Sequence, residues 1–189
     1  MSGPPGSGTS SAATALADRL DFEHVSGGDI FRDLAAERDM TVEAFNTLAE
    51  SDESIDRQLD QRLRQIAIER DDVVLESRLA GWMAGDHADL RVWLDAPVDL
   101  RAERIAEREG WSVEAAKERT TMRESSEQRR YAEYYNIDFA DLRIYDLTVN
   151  TARWTLDAET AMLVTAIETY DVDTDEGAVP ITGVDYAFE

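Results

Sequence analysis

The feature that most constrains this chain is a glycine-rich stretch at its start. Gly3 and Gly8 are five positions apart, Gly6 lies between them, and Ser10 follows Gly8 by two positions. This spacing matches the pattern G-x-x-x-x-G-K-[ST], in which backbone N–H groups surround phosphate oxygens and the final hydroxyl holds a magnesium ion. Thr9 stands at the lysine position, so the stretch lacks the usual fixed charge. The pattern predicts a phosphate-binding loop, with Mg²⁺ on Ser10, formed by Gly3, Pro4, Pro5, Gly6, Ser7, Gly8, Thr9, Ser10 and Ser11.

Helical and strand patterns alternate after this loop. Short apolar runs at 22–25, 73–75, 91–94 and 147–149 indicate strands. Apolar residues at three- and four-residue spacing indicate the helices between them, with Thr41, Ser54, Ser112 and Asp157 as candidate N-terminal caps. This alternation predicts an α/β fold, a parallel sheet with helices on both faces.

The start of the chain leaves little room for the strand that normally precedes such a loop. Only Met1 and Ser2 come before Gly3. A first strand would therefore be largely missing, and we expect a late start that omits about four to six apolar residues, a typical strand length.

Polar residues follow two of the predicted strands, where ligands bind in open α/β sheets. Glu76 and Arg78 follow the run 73–75, and we favour a ligand site there over a local ion pair. The stretch 26–32 has two interpretations of equal weight. It is either a simple turn that caps the next helix, or a second anion pocket lined by Ser26, Asp29 and Arg32.

Arginine is concentrated in one part of an acidic chain. Seven arginines fall between positions 101 and 130, namely Arg101, Arg104, Arg108, Arg119, Arg123, Arg129 and Arg130. Glutamates alternate with them, so ordinary ion pairing along helices explains part of the pattern. Arg104 and Arg108 are four apart and should share one helix face. The cluster favours a mobile segment that closes over a polyanion such as a triphosphate, because arginine binds phosphate in a bidentate way.

Composition excludes several classes of function. The net charge of −22 disfavours binding to nucleic acid or to an anionic membrane. The chain has no cysteine and only two histidines, which argues against disulfides and against thiolate or histidine-rich metal sites. We find no signal peptide or membrane-spanning run, so we expect a cytoplasmic monomer. Because Lys117 is the only lysine, the acid excess favours adaptation to a high-salt cytoplasm, where the repulsion is screened.

We expect one domain over residues 1–170, with an acceptor-binding segment at about 29–70 and a lid at about 110–138. Residues 171–189 are rich in acids and should form a mostly disordered tail. The alternative is that apolar tail residues dock on the domain, namely Val179, Ile181, Val184, Tyr186 and Phe188. A phosphate loop facing an arginine-rich lid indicates phosphoryl transfer between two nucleotides, which depends on alignment and charge neutralisation.

Six segments of the chain, in order, resemble the archaeal type of cytidylate kinase, in its haloarchaeal branch. They are GPPGSG with Thr9 and Ser10, HVSGGDIFR at 24–32, LESRLAGWMAG at 75–85, RVWLDAP at 91–97, RESSEQRRYAEYYNID at 123–138 and IYDLTVNTARW at 144–154. The resemblance implies a P-loop nucleoside monophosphate kinase fold with strand order 2-3-1-4-5. It implies transfer of the γ-phosphate of ATP to CMP or dCMP, with Mg²⁺.

The resemblance also implies roles for particular residues. Residues 3–11, Arg104 and Arg108 would bind ATP. Ser26, Asp29, Arg32 and Arg78 would bind CMP. Arg119, Arg123 and Arg129 would close as the lid and, with Arg78, form the catalytic set.

Thr9 departs from the pattern of most members of this family. Its hydroxyl can donate a hydrogen bond but brings no charge, and Lys117 could substitute only if the lid delivered it. We expect the protein to remain active because arginines and Mg²⁺ supply the positive charge that Thr9 lacks. Two alternatives stay open, a kinase for another monophosphate such as AMP or UMP, and a non-catalytic nucleotide-binding protein.

Overall fold

A computed structural model describes residues 1–186 of the chain. The docking expected for Phe188 therefore lies outside the described residues. The helices are α1 (Thr9–Leu20), α2 (Gly27–Ala36), α3 (Val42–Ala49), α4 (Glu53–Glu69), α5 (Ala80–Ala84), α6 (Val98–Glu109), α7 (Val113–Tyr135) and α8 (Leu156–Thr169). The strands are β1 (Glu23–Ser26), β2 (Val73–Glu76), β3 (Val92–Asp95) and β4 (Leu147–Asn150), and short 3₁₀ turns cover Gly85–His87, Leu142–Ile144 and Val172–Thr174.

The strands pair in parallel, as the alternating pattern predicted. Strand β1 pairs with β2, and Ser26 lies opposite Glu76. Strand β3 pairs with β4, and Asp95 lies opposite Asn150. The polar residues that end these strands therefore meet at one edge of the sheet.

The first two residues join the two strand pairs. The Met1 nitrogen donates to the Leu75 carbonyl (2.6 Å) in β2. Ser2 forms a parallel bridge with Trp93 in β3, and its nitrogen donates to the Val92 carbonyl (2.9 Å). With this short segment counted as the first strand, the order is 2-3-1-4-5, so the predicted fold class is confirmed.

Apolar side chains cover both faces of the sheet. Neighbouring strand residues face opposite ways, so Leu75 and Trp93 join one hydrophobic cluster whereas Val74, Val92 and Leu94 join the other. The first cluster includes Leu34, Phe45, Ile55, Leu63, Met83 and Tyr135. The second includes Ala12, Ala13, Leu16 and Leu163.

Local capping explains where several helices begin. Thr41 and Ser112 accept hydrogen bonds from the first turns of α3 and α7, as predicted. The caps predicted for α4 and α8 are wrong by two residues. Asp52 caps α4 through the Ser54 nitrogen (3.0 Å), and Thr155 caps α8.

In the described part of the C-terminal tail, several apolar side chains contact the domain, whereas Val179 is 49% exposed. Ile181, Val184 and Tyr186 pack against the first hydrophobic cluster. The Tyr186 hydroxyl donates to the Trp82 carbonyl (2.8 Å). These contacts agree with the docking alternative, because burial of the apolar side chains opposes the disordering effect of the acidic neighbours. Within residues 1–186, no helix combines the length and apolar character needed to cross a membrane.

Candidate active site

The glycine-rich stretch forms a tight loop that runs from the sheet into α1. Gly6 and Gly8 have φ values of 79° and 94°, which favour glycine. A Cβ atom on Gly3 would lie 2.2 Å from the Leu94 carbonyl oxygen. The first N–H groups of α1, beginning at Thr9, have no acceptor within the helix. They form, with the positive end of the helix dipole, a ready anion site.

Three arginines hold this loop through its backbone carbonyls. The pairs are Arg78 Nη1 with Gly3 (2.9 Å), Arg101 Nη1 with Pro5 (3.0 Å) and Arg104 Nη1 with Gly6 (3.2 Å). A trans peptide places its C=O and the next N–H on opposite sides. Each contact therefore helps to fix the orientation of a loop peptide, and it brings positive charge close to the loop.

Thr151, which follows β4, supports the loop from another side. Its hydroxyl donates to the Ser7 carbonyl (2.7 Å) and accepts from Arg104 Nη1 (3.0 Å). Glu159 on α8 is also buried near Arg104. Burial raises the pKa of Glu159, and Arg104 partly opposes that shift.

Ser10 and Glu76 bring oxygen atoms together at the start of α1. The Ser10 hydroxyl donates to Glu76 Oε1 (3.0 Å). The other carboxylate oxygen, Oε2, is buried and has no hydrogen-bond partner among residues 1–186. His24 Nε2 lies 3.9 Å from Oε2. The pair can offer oxygen ligands of the kind that a hard divalent cation prefers.

A second arginine cluster surrounds a buried carboxylate on α7. Glu127 Oε2 accepts from Arg78 Nε (3.2 Å), and Glu127 Oε1 accepts from Arg123 Nε (2.7 Å). Burial acts to raise the pKa of Glu127, but the charges of Arg78 and Arg123 outweigh it and hold that pKa below its ordinary value. The carboxylate is therefore ionised at neutral pH.

The stretch 26–32 does form the helix-capping turn. Ser26 Oγ accepts from the Gly28 nitrogen (3.2 Å), and Asp29 and Arg32 form an exposed ion pair one turn apart. A Cβ atom on Gly27 would lie 2.6 Å from Ser77 Cβ, so this turn packs directly beside the segment that carries Arg78. The capping turn and a ligand pocket are thus compatible in this position.

Three of the predicted arginines make no contact with the loop within residues 1–186. Arg108 has a side chain 68% exposed and pairs with Glu109. Arg119 stacks on Trp111, with Cζ 4.3 Å from the ring centroid. Arg129 is exposed on α7. The expected shared face of Arg104 and Arg108 therefore does not place both side chains at the loop.

Comparison with known proteins identifies the family to which this chain belongs. The model of the cytidylate kinase-like family matches residues 1–153. This chain belongs to the cytidylate kinase-like family. It is 61% identical to a cytidylate kinase of Halorubrum lacusprofundi and 58% identical to one of Halobacterium salinarum, in each case over 100% of this chain and 98% of the relative.

A solved structure agrees at the level of the fold. Shikimate kinase from Bacteroides thetaiotaomicron superposes with a TM-score of 0.61 at 16% identity, covering 88% of this chain and 96% of that one. The cytidylate kinase-like family therefore supplies the closer chemical comparison, whereas the shikimate kinase supplies only the fold.

Arg101 and Glu127 lie at the candidate site but were given no role in it from the sequence, whereas Glu76 was singled out together with Arg78. Arg101 had a signal, its place in the arginine cluster. Glu127 had only its four-residue spacing from Arg123, which Arg129 and Glu133 share on the same helix. Glu127 stands out only because it is buried between Arg123 on α7 and Arg78, which follows β2. Spacing along one helix does not reveal the second contact.

Proposed function

We propose that this protein is a cytidylate kinase that transfers the γ-phosphate of ATP to CMP or dCMP, giving ADP and CDP or dCDP. The observation that carries the proposal is the loop held by Arg78, Arg101 and Arg104 next to a second arginine pair, Arg78 with Arg123. Arg78 belongs to both groups. It can therefore link a donor phosphate on the loop to an acceptor phosphate beside it.

On the donor side, the N–H groups of residues 3–11 would bind the phosphates of ATP, and Arg104 would fix the loop. Ser10 and Glu76 would hold Mg²⁺, which when bound neutralises charge on the transferred phosphoryl group. The buried oxygen of Glu76 that lacks a partner fits this group. Because Arg101 and Arg104 bring charge to the loop, the uncharged Thr9 is compatible with the reaction.

On the acceptor side, Arg78 would bind the phosphate of CMP, and Ser26, Asp29 and Arg32 would line the remaining pocket. An oxygen of that phosphate attacks the γ-phosphorus, and the bond from the γ-phosphorus to the bridging oxygen of ADP breaks. The acceptor oxygen is already anionic, so the reaction needs alignment rather than a general base.

Arg108, Arg119, Arg123 and Arg129 would serve as mobile donors near the transferred group. Arg123 lies beside Arg78, Arg119 and Arg129 would reach the site only when the lid moves, and Arg108 on α6 would contact ATP only after a movement of its own helix. We expect their individual contributions to be smaller than that of Arg78.

We further propose a soluble, cytoplasmic, monomeric enzyme of pyrimidine nucleotide metabolism that works at high salt. The net charge of −22 and the two haloarchaeal relatives support this setting. Size-exclusion chromatography in molar KCl tests the oligomeric state.

The decisive experiment is a coupled assay of ADP release with ATP and Mg²⁺ in molar KCl. We expect turnover with CMP or dCMP well above that with AMP or UMP, supplied side by side. Faster turnover with AMP or UMP would reassign the acceptor. Binding of ATP and CMP by calorimetry without any product would instead support a non-catalytic nucleotide-binding protein.

A further inference from the structure

Glu127 is a buried carboxylate that contacts arginines from two separate elements. Its side chain is 7% exposed, whereas that of Arg123 is 58% exposed. Each carboxylate oxygen accepts from a different arginine, Oε2 from Arg78 Nε (3.2 Å) and Oε1 from Arg123 Nε (2.7 Å). Removing a carboxylate from water is costly, and the two guanidinium groups offset that cost. Such a group is well suited to fix the orientation of both arginines.

Glu127 uses only part of the hydrogen-bond donors of the two arginines. A guanidinium has five N–H donors, and Glu127 uses only the Nε donor of each arginine. Arg78 Nη1 donates to the Gly3 carbonyl. Within residues 1–186, Nη2 of Arg78 and both Nη atoms of Arg123 have no acceptor. These donors remain available to an anion, whose natural form here is a phosphate monoester.

We propose that Glu127 is a positioning residue for the acceptor phosphate, acting through Arg78 and Arg123. It holds the two guanidinium groups so that their free N–H donors converge on one anion. The inference rests on the proposed function, since it assigns the anion as the phosphate of CMP. Without Glu127, the largely exposed Arg123 would sample many rotamers, and ordering it would oppose phosphate binding.

A neighbouring glutamate on the same helix makes a related contact. Glu124 pairs with Arg101, whose Nη1 donates to the Pro5 carbonyl. Helix α7 thus supplies a carboxylate to two of the arginines that hold the phosphate loop. Its position and that of the loop are coupled through these ion pairs, and Glu127 is the member that also contacts Arg123.

Glu127→Gln tests this role because glutamine keeps the shape and removes the charge. The amide nitrogen cannot accept a hydrogen bond, so one of the two arginines loses its partner. We expect the affinity for CMP, measured by calorimetry, to fall about tenfold to a hundredfold, the scale of a charge-assisted contact. The affinity for cytidine, which lacks the phosphate, should not change.

Two further variants and the kinetics complete the test. Glu118→Gln removes the same charge from an exposed position on α7 and should leave CMP and cytidine binding unchanged. Glu127→Asp restores the charge with a shorter reach and should recover part of the CMP affinity. In the coupled assay, the KM for CMP should rise in Glu127→Gln while kcat changes less.

The inference is overturned if Glu127→Gln weakens CMP and cytidine equally, or if it weakens neither. Should the Gln variant fail to fold by circular dichroism, Arg123→Ala replaces it, and this variant must show a weaker preference for CMP over cytidine than the wild type; an unchanged preference overturns the inference. Failure of the proposed function appears differently. The wild type would then prefer CMP to cytidine in binding yet release no CMP-dependent ADP, whereas a wild type without that preference contradicts the positioning role itself.

Discussion

The arginines of this protein fall into two groups that composition alone does not separate. Arg78, Arg101 and Arg104 donate to carbonyls of the phosphate loop, whereas Arg108 and Arg119 contact other surface residues. The side chain of Arg101 is 8% exposed and that of Arg108 is 68% exposed, although both belong to α6. An α-helix rises 1.5 Å per residue, so Arg108 lies about 10 Å further along the axis than Arg101, beyond the loop.

An arginine brings charge to the loop only if its position on the helix or segment lies close to the edge of the sheet. Arg78, Arg101 and Arg104, the inner group, lie in the first turns of α6 or in the segment after β2. Arg108 and Arg119 form the outer group. In an acidic chain, carboxylates on α7 offset the buried arginines, as Glu124 does for Arg101 and Glu127 does for Arg78. The inner group is thus buried or partly buried against the loop, whereas the outer group is exposed to solvent.

The largest effect should come from the arginine that serves both phosphates. Arg78→Ala removes contacts with Gly3 and Glu127 together with the proposed contact to CMP. We expect kcat/KM for CMP to fall roughly tenfold to a thousandfold, the scale of charge-assisted contacts. Arg143→Ala is the control, since Arg143 has a side chain 84% exposed and pairs with Asp141, away from the loop. An unchanged KM and kcat for CMP in Arg78→Ala would remove this residue from the site.

The next test compares the two groups on one helix. Arg104→Ala should raise the KM for ATP about tenfold, because the loop carbonyl of Gly6 and the Thr151 hydroxyl both lose a donor. Arg108→Ala should raise it clearly less. Steady-state kinetics with saturating CMP measure both. An equal rise in the KM for ATP in both variants would contradict the division into inner and outer arginines. It would indicate that Arg108 reaches ATP after a movement of α6 or α7.

Much of this arrangement could be predicted from the sequence, because its signals are local. The glycine spacing, the apolar strand runs and the alternation of elements predicted the loop and the sheet. The sequence offered docking of Tyr186 only as an alternative, and it could not decide between docking and disorder or predict the outward position of Arg108. Both features depend on which surfaces meet in three dimensions, and several apolar or charged positions compete for each surface.

Two buried carboxylates of this protein, Glu127 and Asp60, have different electrostatic surroundings. Glu127 lies between two arginines and has a lowered pKa. Asp60 on α4 is 4% exposed. Burial raises the pKa of Asp60 to about 8, a hydrogen bond with Tyr135 opposes this shift, and the nearby Asp56 adds to it. The charge of Arg130 also lowers the pKa of Asp60, but Arg130 donates its hydrogen bond to Asp56.

Asp60 should therefore make the protein less stable as the pH rises. The folded protein keeps a proton on this carboxyl that the unfolded chain releases near its ordinary pKa of 3.8. Between about pH 4 and pH 8, the contribution of Asp60 to the free energy of unfolding falls with pH, at up to about 1.4 kcal/mol per pH unit for one proton.

Asp60→Asn should flatten this dependence, because asparagine is neutral throughout. Urea unfolding in molar KCl at pH 5, 6, 7 and 8 measures the slope. Asp33→Asn, on the exposed face of α2, controls for the loss of one negative charge. A slope that is identical in Asp60→Asn and the wild type would show that Asp60 is ionised in the folded protein over this range.

The smallest effect is expected at the position where the loop departs from its usual pattern. Thr9 is 6% exposed, and its Cγ2 would lie 3.2 Å from a Cβ on Gly3, so its side chain packs inside the loop. Thr9→Lys adds the charge that the pattern normally has. Because the inner arginines already bring charge to the loop, we expect kcat for CMP to change less than about threefold, under 1 kcal/mol. Overpacking should also lower the free energy of unfolding by about 1–3 kcal/mol.

Thr121→Lys makes the same replacement on the exposed surface of α7 and separates the effect of position from that of net charge. Kinetics with CMP and urea unfolding are measured for both variants. A large gain of rate in Thr9→Lys alone would show that the arginines do not replace the missing lysine. The inner group would then serve mainly to hold the backbone of the loop, and the division between inner and outer arginines would be structural rather than catalytic.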